Sequence, residues 1–193
     1  PGISDPGEEL ARMCLDAGIE VTSLPGPAAC ITALTLSGFS TRRFAFEAFL
    51  PMDKKERKEV LQELVDETRT IIIYEAPHKL VKTLKDLRET LGNRRITLCR
   101  ELTKKHETAF RTTIEELLSC YENEKPLGEC VLVIEGKSRK ELKEAEAASW
   151  ETVPVEEHMK IYEKQGMSRK DAMKQVAKDR GMSKREIYQM LLE

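Results

Sequence analysis

The chain has 193 residues, 34% of them charged, with a formal net charge of only −2. This length supports one or two domains with a buried core, and the near-balance of charge excludes a chain that is polycationic throughout. No apolar run reaches the roughly 18 residues that a membrane span needs, and no basic-then-apolar segment predicts a secretory signal. The five cysteines include no C-x-x-C pair, so we expect reduced cysteines in a cytoplasmic protein.

The first elements are predicted as helix, strand and helix. Asp5 is expected to cap a helix that has Pro6 in its first position and ends at Gly18. Residues 19–24 are expected to form a strand, and residues 27–36 a second helix. No strand precedes the first helix, so we expect that the front of an α/β domain is missing from the chain.

Strands and helices then alternate up to residue 136. Helices are predicted after Asp53 and over residues 80–91 and 114–121. Strands are predicted over residues 44–50, 71–73, 95–100, 108–111 and 128–136, the last of them apolar throughout residues 130–134. The apolar run at 71–73 is typical of a strand covered on both faces. Since residues 95–136 are expected to include a hairpin, the sequence predicts an α/β fold with a mixed sheet.

The last third of the sequence has a different character. Residues 138–149 are charged and lack an apolar stripe, which indicates a linker or a solvated helix. Residues 150–193 predict a small all-helical module resembling a helix-turn-helix, with a capping box over residues 183–186. Residues 158–185 carry nine Lys and Arg against three Asp and Glu. This excess predicts phosphate binding, with a solvated face of a small bundle as the alternative.

Chemically capable side chains follow two of the predicted strands. Tyr74, Glu75 and His78 come after residues 71–73, and His106 lies in the polar segment after the next strand. Ligands of open α/β sheets bind at the carboxyl ends of strands, although such side chains can also only cap and solvate a turn. Dinucleotide-binding, P-loop and nucleophile-elbow motifs are absent from the sequence. The three histidines lack ligand spacing, so no metal site is predicted.

Six motifs occur in order along residues 1–136: PGISDPGEEL, PGPAACITALTLSG, FEAFLP, YEAPHK, RELTKKHE and GECVLVIEG. Together they resemble the tetrapyrrole-methylase superfamily, and within it the ribosomal branch that methylates the ribose 2′-hydroxyl of a cytidine in 16S rRNA. The resemblance implies a two-domain α/β fold, S-adenosylmethionine (SAM) in the cleft between the domains, and a homodimer acting on the small ribosomal subunit.

The same resemblance divides the chain. Residues 1–42 would be the remnant of the amino-terminal domain and residues 43–137 the carboxyl-terminal methylase domain. A linker over residues 138–149 and the helix-turn-helix-like module over residues 150–193 would follow. Since the opening half of the SAM loop is missing, the chain alone is expected to bind SAM weakly or not at all.

Cofactor contacts are carried over from the superfamily motifs. The positions that match are Ile3, Ala28, Ala29, Glu75 and Leu102. Small residues at the junction before the second helix would also let a ligand approach the backbone.

Methyl transfer to a hydroxyl is an in-line displacement, so the alignment of the reacting atoms supplies much of the rate. The hydroxyl must also lose its proton. Glu101 as proton acceptor and Lys104 as a cation near the developing oxyanion form the leading pair, with an ordinary salt bridge as the alternative. Cations expected to hold RNA phosphates are Arg100, Lys105, Lys170, Lys174, Lys184 and Arg185.

These interpretations predict a SAM-dependent ribosomal RNA 2′-O-methyltransferase. A corrinoid or porphyrinogen methyltransferase on the same fold is the first alternative, and the basic carboxyl-terminal module argues against it. A non-catalytic RNA-binding protein is the second.

Overall fold

The computed structural model describes residues 2–121, 124 and 126–192. The chain divides into two compact units, Pro1–Lys137 and Ser138–Glu193. Throughout the described residues, every helix is too short or too polar to cross a membrane.

The first unit is built on a five-stranded sheet of order β1-β2-β5-β3-β4. Its strands are β1 (Phe44–Phe49), β2 (Thr70–Glu75), β3 (Arg95–Arg100), β4 (Thr108–Thr113) and β5 (Cys130–Ile134). The β1–β2 pair is parallel, whereas β5 runs antiparallel to both β2 and β3, and β3 and β4 form an antiparallel hairpin. The predicted α/β class with a mixed sheet is therefore confirmed.

Among the described residues, five helices belong to this unit, and all but the first follow or cover strands of the sheet. They are α1 (Glu8–Asp16), α2 (Ala29–Ser37), α3 (Lys54–Glu63), α4 (Leu80–Leu91) and α5 (Ile114–Cys120), with a short 3-10 turn at Pro77–Lys79. As predicted, the Asp53 side chain caps α3, accepting from the backbone N–H groups of Lys55 and Glu56 over 2.9 and 3.0 Å.

The apolar sequence of β2 is explained by its position in the sheet, where both of its faces are covered. Ile71 and Ile73 pack on one face of the sheet with the leucines of α4. Ile72 points to the other face and packs with Ala33 and Leu34 of α2. Because side chains alternate along a strand and both faces are covered, all three isoleucines are fully buried.

The amino-terminal predictions were partly wrong. Residues 19–24 form no strand, because no described strand pairs with them, and unpaired backbone groups favour a solvated chain. Ile19 is 57% and Leu24 89% exposed. Helix α1 begins at Glu8 rather than beside Asp5, since Gly7 at its N-cap has a φ of 146° and turns the chain there. Helix α2 begins two residues later than predicted, because Ala28 is extended.

Every regular element among the described residues of the second unit is a helix. It contains α6 (Arg139–Ser149), α7 (Val155–Lys164), α8 (Arg169–Asp179) and α9 (Lys184–Met190). The segment predicted as a linker or solvated helix is α6, which has no buried side chain. The predicted capping box at Ser183 and Glu186 opens α9. A small core joins the other three helices: Val155, Met159, Ala172, Val176, Ala177 and Ile187.

Candidate functional site

The sheet topology brings several strand ends to one edge. Cys130, the first residue of β5, lies opposite Glu75 on one side and Arg100 on the other. Because β1 is parallel to β2, its last residue, Phe49, lies at the same edge, opposite Tyr74. A cavity of about 570 Å³ opens there, walled by the strand ends and by parts of segments 3–5 and 23–29.

Four of the five predicted cofactor residues line this cavity: Ile3, Ala28, Ala29 and Glu75. The fifth, Leu102, is partly buried against the core cluster between the sheet and α2. Gly26 also lines the cavity, and a Cβ added to it would meet no atom within 4 Å. Small residues therefore leave the backbone before α2 open to a ligand.

Tyr74 links the cavity to α2. Its hydroxyl accepts a hydrogen bond from the backbone N–H of Cys30 over 2.9 Å, so it satisfies a donor in the first turn of a helix without a side-chain cap of its own. Its ring packs edge-on against Phe46 and Phe49, with centroid distances of 4.9 and 5.7 Å. Tyr74 thus fixes the position of α2 relative to the sheet.

Tyr74 should make stability sensitive to alkaline pH. Burial, with a further contribution from Cys30, raises the pKa of Tyr74 to about 12 from an ordinary 10.0. A group whose pKa is raised on folding stabilises the folded state below its unfolded pKa, and this contribution is lost as pH rises through the folded pKa. Tyr74→Phe is therefore expected to flatten the loss of stability between pH 10 and 12, measured by urea unfolding at several pH values.

The matched control is Tyr188→Phe, at an exposed tyrosine of the second unit. Tyr74→Phe should also destabilise the protein at neutral pH by about 1–3 kcal/mol, because the Cys30 N–H loses its acceptor. An unchanged alkaline slope in Tyr74→Phe would contradict the raised pKa.

Glu75 is a buried carboxylate at the end of β2, only 5% exposed. Its Oε1 accepts from the backbone N–H of Ala76 over 2.8 Å, and its Oε2 accepts from the hydroxyl of Thr83. Both oxygens are thus held from the protein side while the residue lines the cavity. The arrangement suits an acceptor for a ligand's hydrogen-bond donors.

Glu101 and Lys104 form a charged cluster with Glu129. Lys104 Nζ lies 3.3 Å from Glu101 Oε1 and 2.9 Å from Glu129 Oε2, and the N–H of Glu129 donates to Glu101 Oε1 over 2.9 Å. That N–H, followed by Lys104, lowers the pKa of Glu101; Glu129, followed by Glu101, raises the pKa of Lys104. The cluster therefore makes the Glu101 carboxylate a weaker base and favours the charged ammonium form of Lys104.

The cluster depends on Gly128, and one of its members reaches the cavity. Gly128 has a φ of 79°, and a Cβ added to it would lie 2.5 Å from Glu101 Cγ, so glycine allows the side chain of Glu101 to cross it. Glu129 lines the cavity, whereas Glu101 and Lys104 are not among its described lining residues.

Sequence reasoning missed Glu129, Tyr74 as a helix cap, and Phe49. The signal for Phe49 and Glu129 was their place at the ends of predicted strands. The location of Glu129 at the cavity could not be inferred from sequence alone, because it depends on the insertion of β5 between β2 and β3.

The other predicted residues are dispersed. His78, His106 and Lys105 are exposed, and Arg100 Nη1 donates to the Tyr121 hydroxyl over 3.1 Å.

The predicted phosphate-binding cations of the second unit are also exposed: Lys170, Lys174, Lys184 and Arg185. Lys170 and Lys174 lie one turn apart on α8, whereas Lys184 and Arg185 occupy the first turn of α9. Positive charge at a helix amino terminus opposes the helix dipole, so the last two do not serve helix stability.

The chain is similar to known proteins over almost its whole length. Residues 1–118 match the family described as Tetrapyrrole (Corrin/Porphyrin) Methylases. The chain is also similar to three proteins named Ribosomal RNA small subunit methyltransferase I. It is 43% identical to that of Halalkalibacterium halodurans and 44% to that of Bacillus subtilis, over 97% of this chain and 64% of each relative. It is 41% identical to that of Synechocystis sp., over 100% of this chain and 68% of the relative.

The chain thus spans 64% of the length of the first two of these relatives. The family match covers the segments that form the cavity up to Pro77, and the resemblance inferred from the six motifs is confirmed. The chain belongs to the tetrapyrrole (corrin/porphyrin) methylase family.

Proposed function

We propose that the protein transfers a methyl group from SAM to a ribose 2′-hydroxyl of small-subunit ribosomal RNA in the cytoplasm. The observation that carries the proposal is the cavity at the strand ends, where Ile3, Ala28, Ala29 and Glu75 come together. Relatives 41–44% identical are named as methyltransferases of that RNA.

The residues present would form part of a SAM site. A volume of about 570 Å³ suits a small molecule. A ligand could approach the backbone at Gly26, because a Cβ there would meet no atom within 4 Å. The carboxylate oxygens of Glu75 would accept hydrogen bonds from the ribose hydroxyls and the ammonium group of SAM. When bound, SAM supplies an electrophilic methyl group on a sulfonium.

Lys104 and Glu101 are the proposed groups for the hydroxyl that is methylated. The Lys104 ammonium, held by two carboxylates, would stabilise the oxyanion that develops as the proton leaves. Glu101 would accept that proton, but its lowered pKa makes it a weak base. We therefore assign the larger effect to Lys104.

RNA would be held through phosphates by cations from both units. Arg100 and Lys105 belong to the first unit, and the four exposed cations of α8 and α9 belong to the second. The proposal includes the homodimer that the resemblance implies. A second copy would cover exposed apolar side chains such as Leu24 and Met52.

The direct test uses the full-length protein, tritiated-methyl SAM and small ribosomal subunits that lack the modification. We expect the label to enter RNA at a 2′-oxygen, where it blocks alkaline cleavage. Label entering a porphyrinogen but not RNA would instead support the small-molecule alternative. RNA binding without any transfer would support the non-catalytic alternative.

A second experiment tests whether the helical unit binds RNA phosphates. Four cations are replaced by Gln: Lys170, Lys174, Lys184 and Arg185. Each lost phosphate contact lowers the salt slope by about 0.7 for single-stranded RNA, so log K against log salt should flatten by about 3. SAM affinity should not change. The control substitutes Lys54, Lys55, Lys58 and Lys85, which are exposed on α3 and α4. Equal losses in both quadruple variants would contradict a specific role for α8 and α9.

A further inference from the structure

A chain of buried hydrogen bonds runs from the cavity into the layer formed by α3 and α4. Glu75 lies at the cavity, Thr83 on α4 and Arg57 on α3, and all three residues are buried. The Thr83 hydroxyl donates to Glu75 Oε2. Arg57 donates from Nη2 to Thr83 Oγ1 and from Nε to Asp86 Oδ2, each over 2.8 Å. The chain links a cavity carboxylate to a guanidinium through one hydroxyl.

The direction of these hydrogen bonds is fixed by chemistry. A guanidinium has donors only, so the oxygen of Thr83 must accept from Arg57, and its single proton is then directed to Glu75. The backbone N–H of Ala76 occupies the other oxygen of the carboxylate. Since each carboxylate oxygen has two acceptor sites, each can accept one further donor.

We propose that Thr83 and Arg57 are positioning residues that hold the Glu75 carboxylate as an acceptor for a hydroxyl or ammonium group of the bound ligand. Neither is among the described residues that line the cavity, so both act through Glu75. The inference rests on the proposed function in that SAM, which carries donors of both kinds, is the ligand.

Burial makes this support effective. Thr83 is fully buried and Arg57 almost so, and hydrogen bonds shielded from water are stronger and polarise one another. A carboxylate that lost its inner donor would turn toward other donors and leave the orientation that the ligand needs. The effect parallels that of the outer partners of metal ligands, whose loss weakens binding about 10- to 100-fold.

A purely structural role would be to tie α3 and α4 to β2. Thr83→Val keeps the volume of threonine and loses the hydroxyl, whereas Thr83→Ser keeps the hydroxyl. SAM affinity separates the two roles, because a purely structural tie would change the melting temperature of the folded protein and leave its affinity unchanged. The matched control is Thr90→Val, at a half-buried position in the last turn of the same helix. Two readouts apply to the full-length protein: SAM affinity by calorimetry, and the NMR shifts of Glu75 Cδ and the Ala76 amide without ligand.

Thr83→Val is expected to weaken SAM binding by about tenfold and to move both NMR signals. Thr83→Ser should restore affinity and shifts, and Thr90→Val should change neither. Arg57→Met, which removes the donor to Thr83, should act like Thr83→Val and provides the same test should that variant not fold. A folded Thr83→Val or Arg57→Met protein overturns the positioning role if the Glu75 and Ala76 shifts are unchanged, or if they move while SAM affinity stays at the wild-type value. Full-length wild-type protein that fails to bind SAM overturns the proposed function instead.

Discussion

Lys104→Met is expected to lower the single-turnover rate of methyl transfer by about 10²-fold or more, the usual cost of removing one group that stabilises a developing oxyanion. The Lys104 ammonium lies between Glu101 and Glu129, and Glu129 lines the cavity. Rapid quenching at saturating SAM and RNA isolates the chemical step. Both affinities should change little, because Met keeps most of the side-chain volume.

The control for lost charge is Lys85→Met, at an exposed lysine of α4. Raising the pH should partly rescue Lys104→Met, because a larger fraction of the hydroxyl is then deprotonated. The wild-type ammonium should stay charged over the same range, since the neighbouring carboxylates raise the pKa of Lys104. A variant that melts earlier but turns over normally would reduce the pair to a structural salt bridge.

Glu101→Gln measures how much Glu101 contributes to the rate apart from Lys104. A full general-base role predicts a loss of about 10²-fold or more. We expect a smaller loss of about tenfold, because the hydrogen bond from Glu129 already lowers the pKa of Glu101 and weakens it as a base.

Gly136→Ala is expected to destabilise the first unit by about 3 kcal/mol, at the upper end of the usual cost of overpacking. A Cβ at this position would lie 2.3 Å from the carbonyl oxygen of Thr68 and 2.4 Å from that of Arg69. These atoms belong to the backbone entering β2, and the neighbouring Lys137 N–H is hydrogen bonded to Glu67 O over 2.7 Å. The clash therefore cannot be relieved by turning a side chain.

Urea unfolding followed by circular dichroism measures this effect. Gly26→Ala is the control, because a Cβ there meets no atom within 4 Å and its φ lies outside the left-handed region. Equal unfolding midpoints for Gly136→Ala and the wild type would show that the β5 end can move away from β2.

Local patterns were sufficient for elements whose sequence and environment agree. The strand Arg95–Arg100 and the helix Leu80–Leu91 were predicted with their observed bounds, because each has clear end signals and a face to bury. Residues 19–24 carry an equally apolar pattern but pair with no described strand. Strand formation requires a partner that the segment itself does not encode.

The candidate site could be predicted only in part, for the same reason. Glu75 is the last residue of the buried strand β2, so its place at the cavity could be inferred from that strand alone. Glu129 precedes β5, and its proximity to Lys104 depends on the position of β5 between β2 and β3. Arg57 and Thr83 meet because α3 and α4 pack together, a tertiary contact that no single-helix pattern specifies.

The central position of β5 also constrains how the protein matures on the ribosome. This strand is the last of the first unit to be synthesised, yet it fills the gap between β2 and β3. Until residues 130–134 leave the exit tunnel, the facing edges of β2 and β3 have no partner, and unpaired strand edges are templates for association with other chains. We therefore expect the nascent chain to be most prone to association shortly before β5 emerges, and a pause in translation just before those residues to prolong that period.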